Sequence, residues 1–78
     1  MTIKKLVLHI VEALVDYPEQ IAINEIQGGQ TSVLEVAVAK EDLGKVIGKK
    51  GRTVNAIRTI LKASAAKFKK RMLLEIVE

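Results

Sequence analysis

The chain has 78 residues, a length that fits one domain with a modest core. It has no cysteine, which excludes a disulfide framework and a thiolate metal site. The net charge of +4 is uneven: residues 1–39 hold two lysines and five acids, whereas residues 40–78 hold eleven Lys or Arg and four acids. A basic half is typical of nucleic-acid-binding proteins, although a solubilising basic surface has the same composition.

The first predicted element is an amphipathic helix over residues 3–15. Its apolar residues recur at helical spacing and give one buried face: Ile3, Leu6, Val7, Ile10, Val11 and Leu14. Tyr17-Pro18 should end this helix, because proline disfavours a helical conformation in the residue before it. No cleavage site of small residues follows, and no apolar run is long enough to span a bilayer. We therefore expect a cytoplasmic protein with no membrane contact.

Two strands joined by a tight turn are predicted next. Three isoleucines indicate the first strand: Ile21, Ile23 and Ile26. Residues 27–30 (QGGQ) predict a hairpin turn, because paired glycines supply the backbone freedom that it needs. Residues 31–39 predict the second strand, whose alternate side chains face opposite sides of the sheet. One face should carry Leu34, Val36 and Val38, and the other Val33, Glu35 and Ala37.

The second half of the chain predicts two helices and a strand. Residues 41–47 predict a short helix with Glu41 and Asp42 near its N-terminus, where the helix dipole favours acids. Residues 52–69 predict a long amphipathic helix, and residues 72–77 a final strand. The apolar face of the long helix should carry Val54, Ile57, Ile60, Leu61 and Phe68, with Ser64 among them. The predicted order of elements is α-β-β-α-α-β.

The turn between these two helices is the most informative part of the chain. Gly48 and Gly51 bracket Lys49 and Lys50, and glycine permits both positive φ and a close approach of the backbone to a ligand. The following helix points its free N–H groups back toward this turn, and the lysines add charge that attracts phosphate. A simple helix corner would also need glycine, but it would not need two lysines. The pattern favours a clamp on a sugar-phosphate backbone.

At these residues the chain resembles the KH family. The likeness is carried by residues 42–57 (DLGKVIGKKGRTVNAI), in which the Ile-Gly-x-x-Gly core precedes a helix. Residues 13–19 (ALVDYPE) and 74–78 (LEIVE) are similar to the small single-domain KH proteins of bacteria. The resemblance covers the chain, so residues 1–78 are expected to form a single KH domain with its GxxG loop at 48–51. It implies an α+β fold of type II, a three-stranded mixed sheet with helices packed on one face.

The resemblance implies a protein that grips single-stranded RNA, about four unpaired nucleotides at a time. An aliphatic groove beside the GxxG loop would hold the bases, and its candidate residues are Val36, Val38, Val46, Ile47, Val54 and Ile57. In type II proteins the loop before the last strand borders this groove. The predicted RNA-binding residues are Lys45, Val46, Ile47, Gly48, Lys49, Lys50, Gly51, Arg52, Asn55, Arg58, Lys62, Lys69, Lys70 and Arg71.

Catalysis is not expected. The chain has one histidine, no cysteine and no acid pair with convincing spacing for general acid–base work, and we predict no cofactor and no metal. Tyr17 and Phe68 are the only aromatic residues, so base stacking should contribute little and one copy should bind RNA with modest affinity.

Two functions remain open on this sequence. The resemblance implies an RNA chaperone or post-transcriptional regulator that self-associates and pairs with a second KH-containing RNA-binding protein. The alternative is a protein-interaction module that works mainly by docking to such a partner. An apolar patch on the uncovered sheet face would support docking, and its candidate residues are Val33, Ala37, Leu73 and Val77.

Overall fold

Helices cover one face of a three-stranded sheet in the computed structural model of the protein, which describes residues 2–77. The helices and strands are α1 (Ile3–Leu14), β1 (Ala22–Gly28), β2 (Thr31–Ala37), α2 (Leu43–Ile47), α3 (Arg52–Ala66) and β3 (Arg71–Ile76). Short 3₁₀ turns lie at Pro18–Gln20, Lys40–Asp42 and Lys49–Gly51. The predicted order of elements and the type II arrangement are confirmed, with element ends that differ by up to three residues.

The sheet is mixed, with β2 in its centre. β1 pairs antiparallel with β2 through a two-residue turn, where Gly29 adopts a φ of +64°. β2 pairs parallel with β3, and the register places Leu34 beside Leu74 and Val36 beside Ile76. A parallel pair needs a crossover connection, and α2 and α3 provide it.

The core lies between the sheet and the helices. Buried residues alternate along β2, as the period of a strand requires, and they are Ser32, Leu34 and Val36. α1 contributes Val7 and Val11, and its first turn is capped by Thr2, whose Oγ1 accepts a hydrogen bond of 3.2 Å from the Lys5 N–H. No helix within residues 2–77 has the length and apolar composition of a membrane span.

The buried face of α3 differs in part from the predicted one. Its buried residues are Val54, Ile57, Leu61 and Ala65. Ile60 is 45% exposed and Phe68 is 67% exposed, so their placement in the core was wrong. Ile60 lies about 100° around the helix from Leu61. Phe68 follows the end of α3 at Ala66, so the helical period no longer sets its direction.

The opposite face of the sheet is uncovered within the described residues. The register aligns Ile26, Val33 and Leu73 in one row across the three strands, and Ile26 is 50% exposed. The adjoining row is polar and contains Asn24, Glu35 and Glu75, of which Asn24 donates a hydrogen bond of 3.3 Å to Glu35. The uncovered face therefore carries the predicted apolar residues, interrupted by a row with two acids.

Candidate nucleic-acid interface

The turn from α2 to α3 depends on Gly48. This residue has φ 78° and ψ 170°, a backbone region that is open only to glycine. An ideal Cβ built there would overlap the Thr53 side chain and lie 2.8 Å from the Thr53 backbone nitrogen. Gly48 also ends α2, because its N–H donates a hydrogen bond of 2.8 Å to the Gly44 carbonyl. The chain therefore passes close against the start of α3 with no side chain between them.

The two lysines of the turn are free to meet a ligand. Lys49 and Lys50 are exposed, and neither forms an ion pair with any residue from 2 to 77. Lys50 has φ 58° and Gly51 has φ 73°, so two successive residues adopt the left-handed conformation. A left-handed lysine costs about 1–2 kcal/mol of conformational energy. The turn thus presents two uncompensated cations on a sharply bent backbone.

α3 begins directly after this turn. Its N-cap is Gly51, and no side chain caps the first turn of the helix. The first N–H groups of a helix lack partners inside the helix and carry a partial positive charge. Here the Arg52 N–H donates to the Lys49 carbonyl of the preceding 3₁₀ turn, and the Gly51 N–H donates to the Gly48 carbonyl at 3.1 Å. Arg52, the first helical residue, is exposed beside them. The positive end of α3 and three cationic side chains therefore lie together.

A basic cleft runs between α3 and β3. It consists of two adjoining hollows of about 360 and 260 Å³ that share Lys62, Met72 and Leu73. Its cations are Arg58 and Lys62 on α3, with Lys70 and Arg71 at the start of β3. Its lining also includes Leu61, Met72 and Leu74, each 5% exposed or less, together with Leu73 and Glu75, which alternate with Met72 and Leu74 along β3. The cationic margin of this cleft suits the charged backbone of a nucleic acid.

Arg58 bridges the two walls of this cleft. Its Nε and Nη2 lie 3.4 and 3.3 Å from the carbonyl oxygen of Leu74, to which both donate. Its Nη1 donates a hydrogen bond of 3.4 Å to Oδ1 of Asn55 on the preceding turn of α3. The guanidinium is therefore fixed over the edge of β3.

Comparison with known proteins gives the family. A model described as "KhpA/KhpB, KH domain" matches residues 4–76. The chain belongs to this KH family. The RNA-binding protein KhpA of Caldanaerobacter subterraneus subsp. tengcongensis is 53% identical over 73 residues, which are 94% of this chain and 97% of that protein. KhpA of Clostridium acetobutylicum is 49% identical over 74 residues, 95% of this chain and 99% of that protein. The resemblance to small bacterial KH proteins is confirmed.

Two solved structures of Era share the fold of this KH chain. Aquifex aeolicus Era bound to GDP and AlF₄⁻ has a TM-score of 0.63 and 22% identity, over 95% of this chain and 29% of the Era chain. Era in complex with MgGDPNP and nucleotides 1506–1542 of 16S ribosomal RNA has a TM-score of 0.64 and 22% identity, over 95% of this chain and 28% of the Era chain. This chain therefore spans less than a third of Era, and at this identity the likeness concerns the fold alone.

Lys45, one of the predicted RNA-binding residues of this KH chain, is engaged within the protein. Its Nζ forms an ion pair with Asp16 and lies 3.5 Å from Oδ1 of Asp42. The hydrogen bond from Lys45 to the Asp16 carboxylate raises the pKa of Lys45, against a smaller opposing effect of partial desolvation. Two carboxylates therefore compensate its charge, unlike the charges of Lys49 and Lys50.

Sequence reasoning missed the role of Asp42. This residue is fully buried, and its two oxygens each accept a hydrogen bond of 3.0 Å, from the backbone N–H groups of Asp16 and Tyr17. Burial acts to raise the pKa of Asp42, but these hydrogen bonds and the neighbouring Lys45 outweigh it, so the pKa lies below its ordinary value. Asp42 thus fastens the segment after α1 to the start of α2, the helix that leads into the GxxG turn.

The remaining predicted residues divide between the core and the surface. Of the candidate groove residues, four belong to the core, with exposures of 0–6%: Val36, Val46, Val54 and Ile57. Val38 and Ile47 are half-buried and pack against the core. Lys69 lies in the turn after α3 with a φ of 54°, and Lys70 follows it. None of the six candidate groove residues lines the cleft between α3 and β3.

Proposed function

We propose that this protein binds single-stranded RNA without catalysing a reaction. The Gly48–Gly51 turn holds the sugar-phosphate backbone, and the cleft between α3 and β3 receives the bases. The observation that carries the proposal is the pair of exposed, uncompensated lysines on a turn where Gly48 has no room for a side chain. A phosphate can approach the backbone closely at such a turn, and the positive end of α3 attracts it.

The relatives support RNA as the ligand. Several bacterial proteins that match nearly the whole chain are named RNA-binding protein KhpA. The cleft adds a physical reason for a single strand, because bases can reach the edge of β3 only when they are not stacked within a duplex. Since the cleft has no aromatic side chain, each base gains little from stacking. The contact is therefore shallow and readily reversible, as an RNA chaperone or post-transcriptional regulator in the cytoplasm requires.

A double charge reversal at the turn tests the proposal. Lys49→Asp with Lys50→Asp should weaken binding to a short fluorescent single-stranded RNA by about tenfold or more, since it replaces attraction of phosphate with repulsion. The fold should survive, because both residues are exposed and Asp tolerates the left-handed conformation of Lys50 better than most residues do.

The matched control reverses two charges elsewhere. Lys4 and Lys5 are exposed in the first turn of α1, beside Ile21 and Ile23, and acids are favourable at that end of a helix. Lys4→Asp with Lys5→Asp gives the same net charge as the test variant. Fluorescence anisotropy should show a much smaller loss of RNA affinity for this control. Equal affinities of the two double variants would refute the clamp.

A second function, docking to a protein partner, is favoured by the row of Ile26, Val33 and Leu73 on the uncovered sheet face. We propose that this face supports self-association or pairing with a second KH-containing protein, which would raise the avidity for RNA. Ile26→Lys with Val33→Lys should abolish association in sedimentation velocity experiments carried out after RNase treatment. Association that persists in this variant would place the contact elsewhere on the molecule.

A further inference from the structure

The free edge of β3 faces the basic cleft. Arg71 and Val77 donate their N–H groups to the carbonyls of Gln30 and Val36 on the β2 side, at 3.0 and 2.8 Å. Backbone groups alternate in direction along a strand, so the residues between them with even numbers point their N–H and C=O groups away from β2. Leu74 lies in the middle of this free edge. Its carbonyl is the one that Arg58 contacts from α3.

Arg58 changes the chemistry of this edge. A bare strand edge offers one donor and one acceptor at each outward residue. Two N–H groups of Arg58 share the Leu74 carbonyl oxygen, which has two lone pairs, so the acceptor at this residue is already used. What remains for a ligand is the Leu74 N–H and the free N–H groups of the guanidinium. At Leu74 the edge of β3 therefore offers a ligand donors alone, whereas Glu75, which also lines the cleft, has acceptor oxygens.

Such an edge discriminates between bases. Adenine presents an amino donor beside a ring nitrogen acceptor, so it matches a bare strand edge with its N–H and C=O. Cytosine has the same pair, its N4 amino group beside N3, and also a second acceptor, O2, on the other side of N3. Its N3 and O2 can therefore match two donors. A base whose amino group meets only donors leaves that group without a partner, at a cost in affinity.

We propose that Arg58 is a specificity-determining residue that makes this site prefer cytosine to adenine by occupying the Leu74 carbonyl. This inference rests on the proposed function, because it concerns the bases of an RNA strand held at the Gly48–Gly51 turn. Asn55 contributes indirectly, since its side-chain oxygen holds the guanidinium in place.

The test compares two fluorescent uridine strands of equal length, one with a central run of cytosines and one with a central run of adenines. Unmodified protein should bind the cytosine strand about tenfold more tightly, the discrimination expected of one good two-bond base contact. Arg58→Met should remove this preference, because it frees the Leu74 carbonyl for the adenine amino group. Arg58→Lys should reduce the preference while it keeps the charge.

Lys62→Met is the matched control, because it removes one charge from the same cleft without touching Leu74. It should weaken binding of both strands by the same factor and keep the cytosine preference. Equal affinity of the unmodified protein for the two strands would overturn this inference, and so would a preference that survives in both Arg58 variants. If the unmodified protein bound neither strand, the proposed function would fail and this inference with it.

Discussion

Gly48 lies directly against Thr53, and a Cβ at Gly48 would come within 2.8 Å of the Thr53 backbone nitrogen. The other glycine of the turn is less confined. Gly51 has a left-handed φ of 73°, but its Cβ would meet only the Asn55 side chain, at an ordinary distance of 3.7 Å. The GxxG motif therefore contains one position that requires glycine for space and conformation, and a second, Gly51, where glycine lowers the cost of a left-handed conformation that Lys50 also adopts.

Three alanine substitutions should therefore change the free energy of unfolding by different amounts, and one of them should raise it rather than lower it. Gly48→Ala should lower the free energy of unfolding by about 3 kcal/mol or more, since steric overlap adds to backbone strain. Gly51→Ala should lower it by about 1–2 kcal/mol. Gly44→Ala should raise it by about 0.5–1 kcal/mol, because this glycine lies exposed in α2 with nothing near its Cβ. Urea denaturation measures all three, and equal losses at residues 48 and 51 would contradict the steric argument.

Asp42 connects stability to pH. Its folded-state pKa lies below the ordinary value of 3.8, so its carboxylate contributes stability that is fully present above that value. The contribution is lost as pH falls below about 4, through the lowered pKa of the folded state. Asp42→Asn should be less stable than the unmodified protein at pH 7, since an amide presents one oxygen to two backbone N–H groups.

Unfolding of both proteins across pH 7 to pH 2.5 checks this expectation. The difference between their free energies of unfolding should narrow as pH falls below about 4, because Asp42 takes up its proton in the unfolded chain before it does so in the folded protein. Glu41→Gln is the matched control, because Glu41 is the exposed neighbouring acid and should have little effect at any pH. A difference that stays constant down to pH 2.5 would show that the carboxylate charge is not what Asp42 contributes.

The sequence was sufficient to predict the order of elements, because each has a local signal: helical spacing in α1, paired glycines at the hairpin and the GxxG motif before α3. The two faces of β2 also followed from strand period alone, since Leu34 and Val36 are buried. Ile60 and Phe68 were misplaced because hydrophobic character does not show where a helix ends or which side meets the sheet.

The long-range parts of the site could not be predicted in this way. Asp42 receives hydrogen bonds from residues 25 and 26 positions earlier, and Arg58 reaches a carbonyl 16 positions later. Both contacts involve backbone groups, which every residue has. The pattern of side chains along the sequence therefore cannot predict them. The charge pattern likewise predicted Lys45 as an RNA-binding residue together with Lys49 and Lys50. In the folded protein two carboxylates, those of Asp16 and Asp42, lie beside Lys45.

The neighbours Ile60 and Leu61 test the corrected face of α3. Leu61→Ala should lower the free energy of unfolding by about 2–5 kcal/mol, because the side chain is 1% exposed and its removal leaves a cavity. Ile60→Ala should cost less than about 1 kcal/mol, since Ile60 is 45% exposed and alanine is the better helix former. Thermal or urea unfolding compares them directly. A larger loss at Ile60 would mean that this side of α3 packs against something in solution.

Two lysines four residues apart, Lys45 and Lys49, should differ in their effect on the salt dependence of RNA binding. The logarithm of the association constant falls with the logarithm of salt concentration by about 0.7 for each phosphate neutralised on a single strand. Lys49→Met should reduce this slope by about 0.7, because Lys49 is exposed and without an ion pair within residues 2–77. Lys45→Met should leave the slope nearly unchanged, since Asp16 and Asp42 already compensate its charge.

Anisotropy titrations over a range of salt concentrations give both slopes from one RNA strand. The slope of the logarithm of the association constant against the logarithm of salt concentration distinguishes two effects. Loss of a phosphate contact reduces this slope, whereas a misplaced turn lowers the affinity at every salt concentration. If Lys45→Met reduced the slope as much as Lys49→Met, the Asp16–Lys45 pair would have to open when RNA binds. Asp16→Asn would then increase affinity for RNA by releasing Lys45, whereas with the pair intact in the complex it should not.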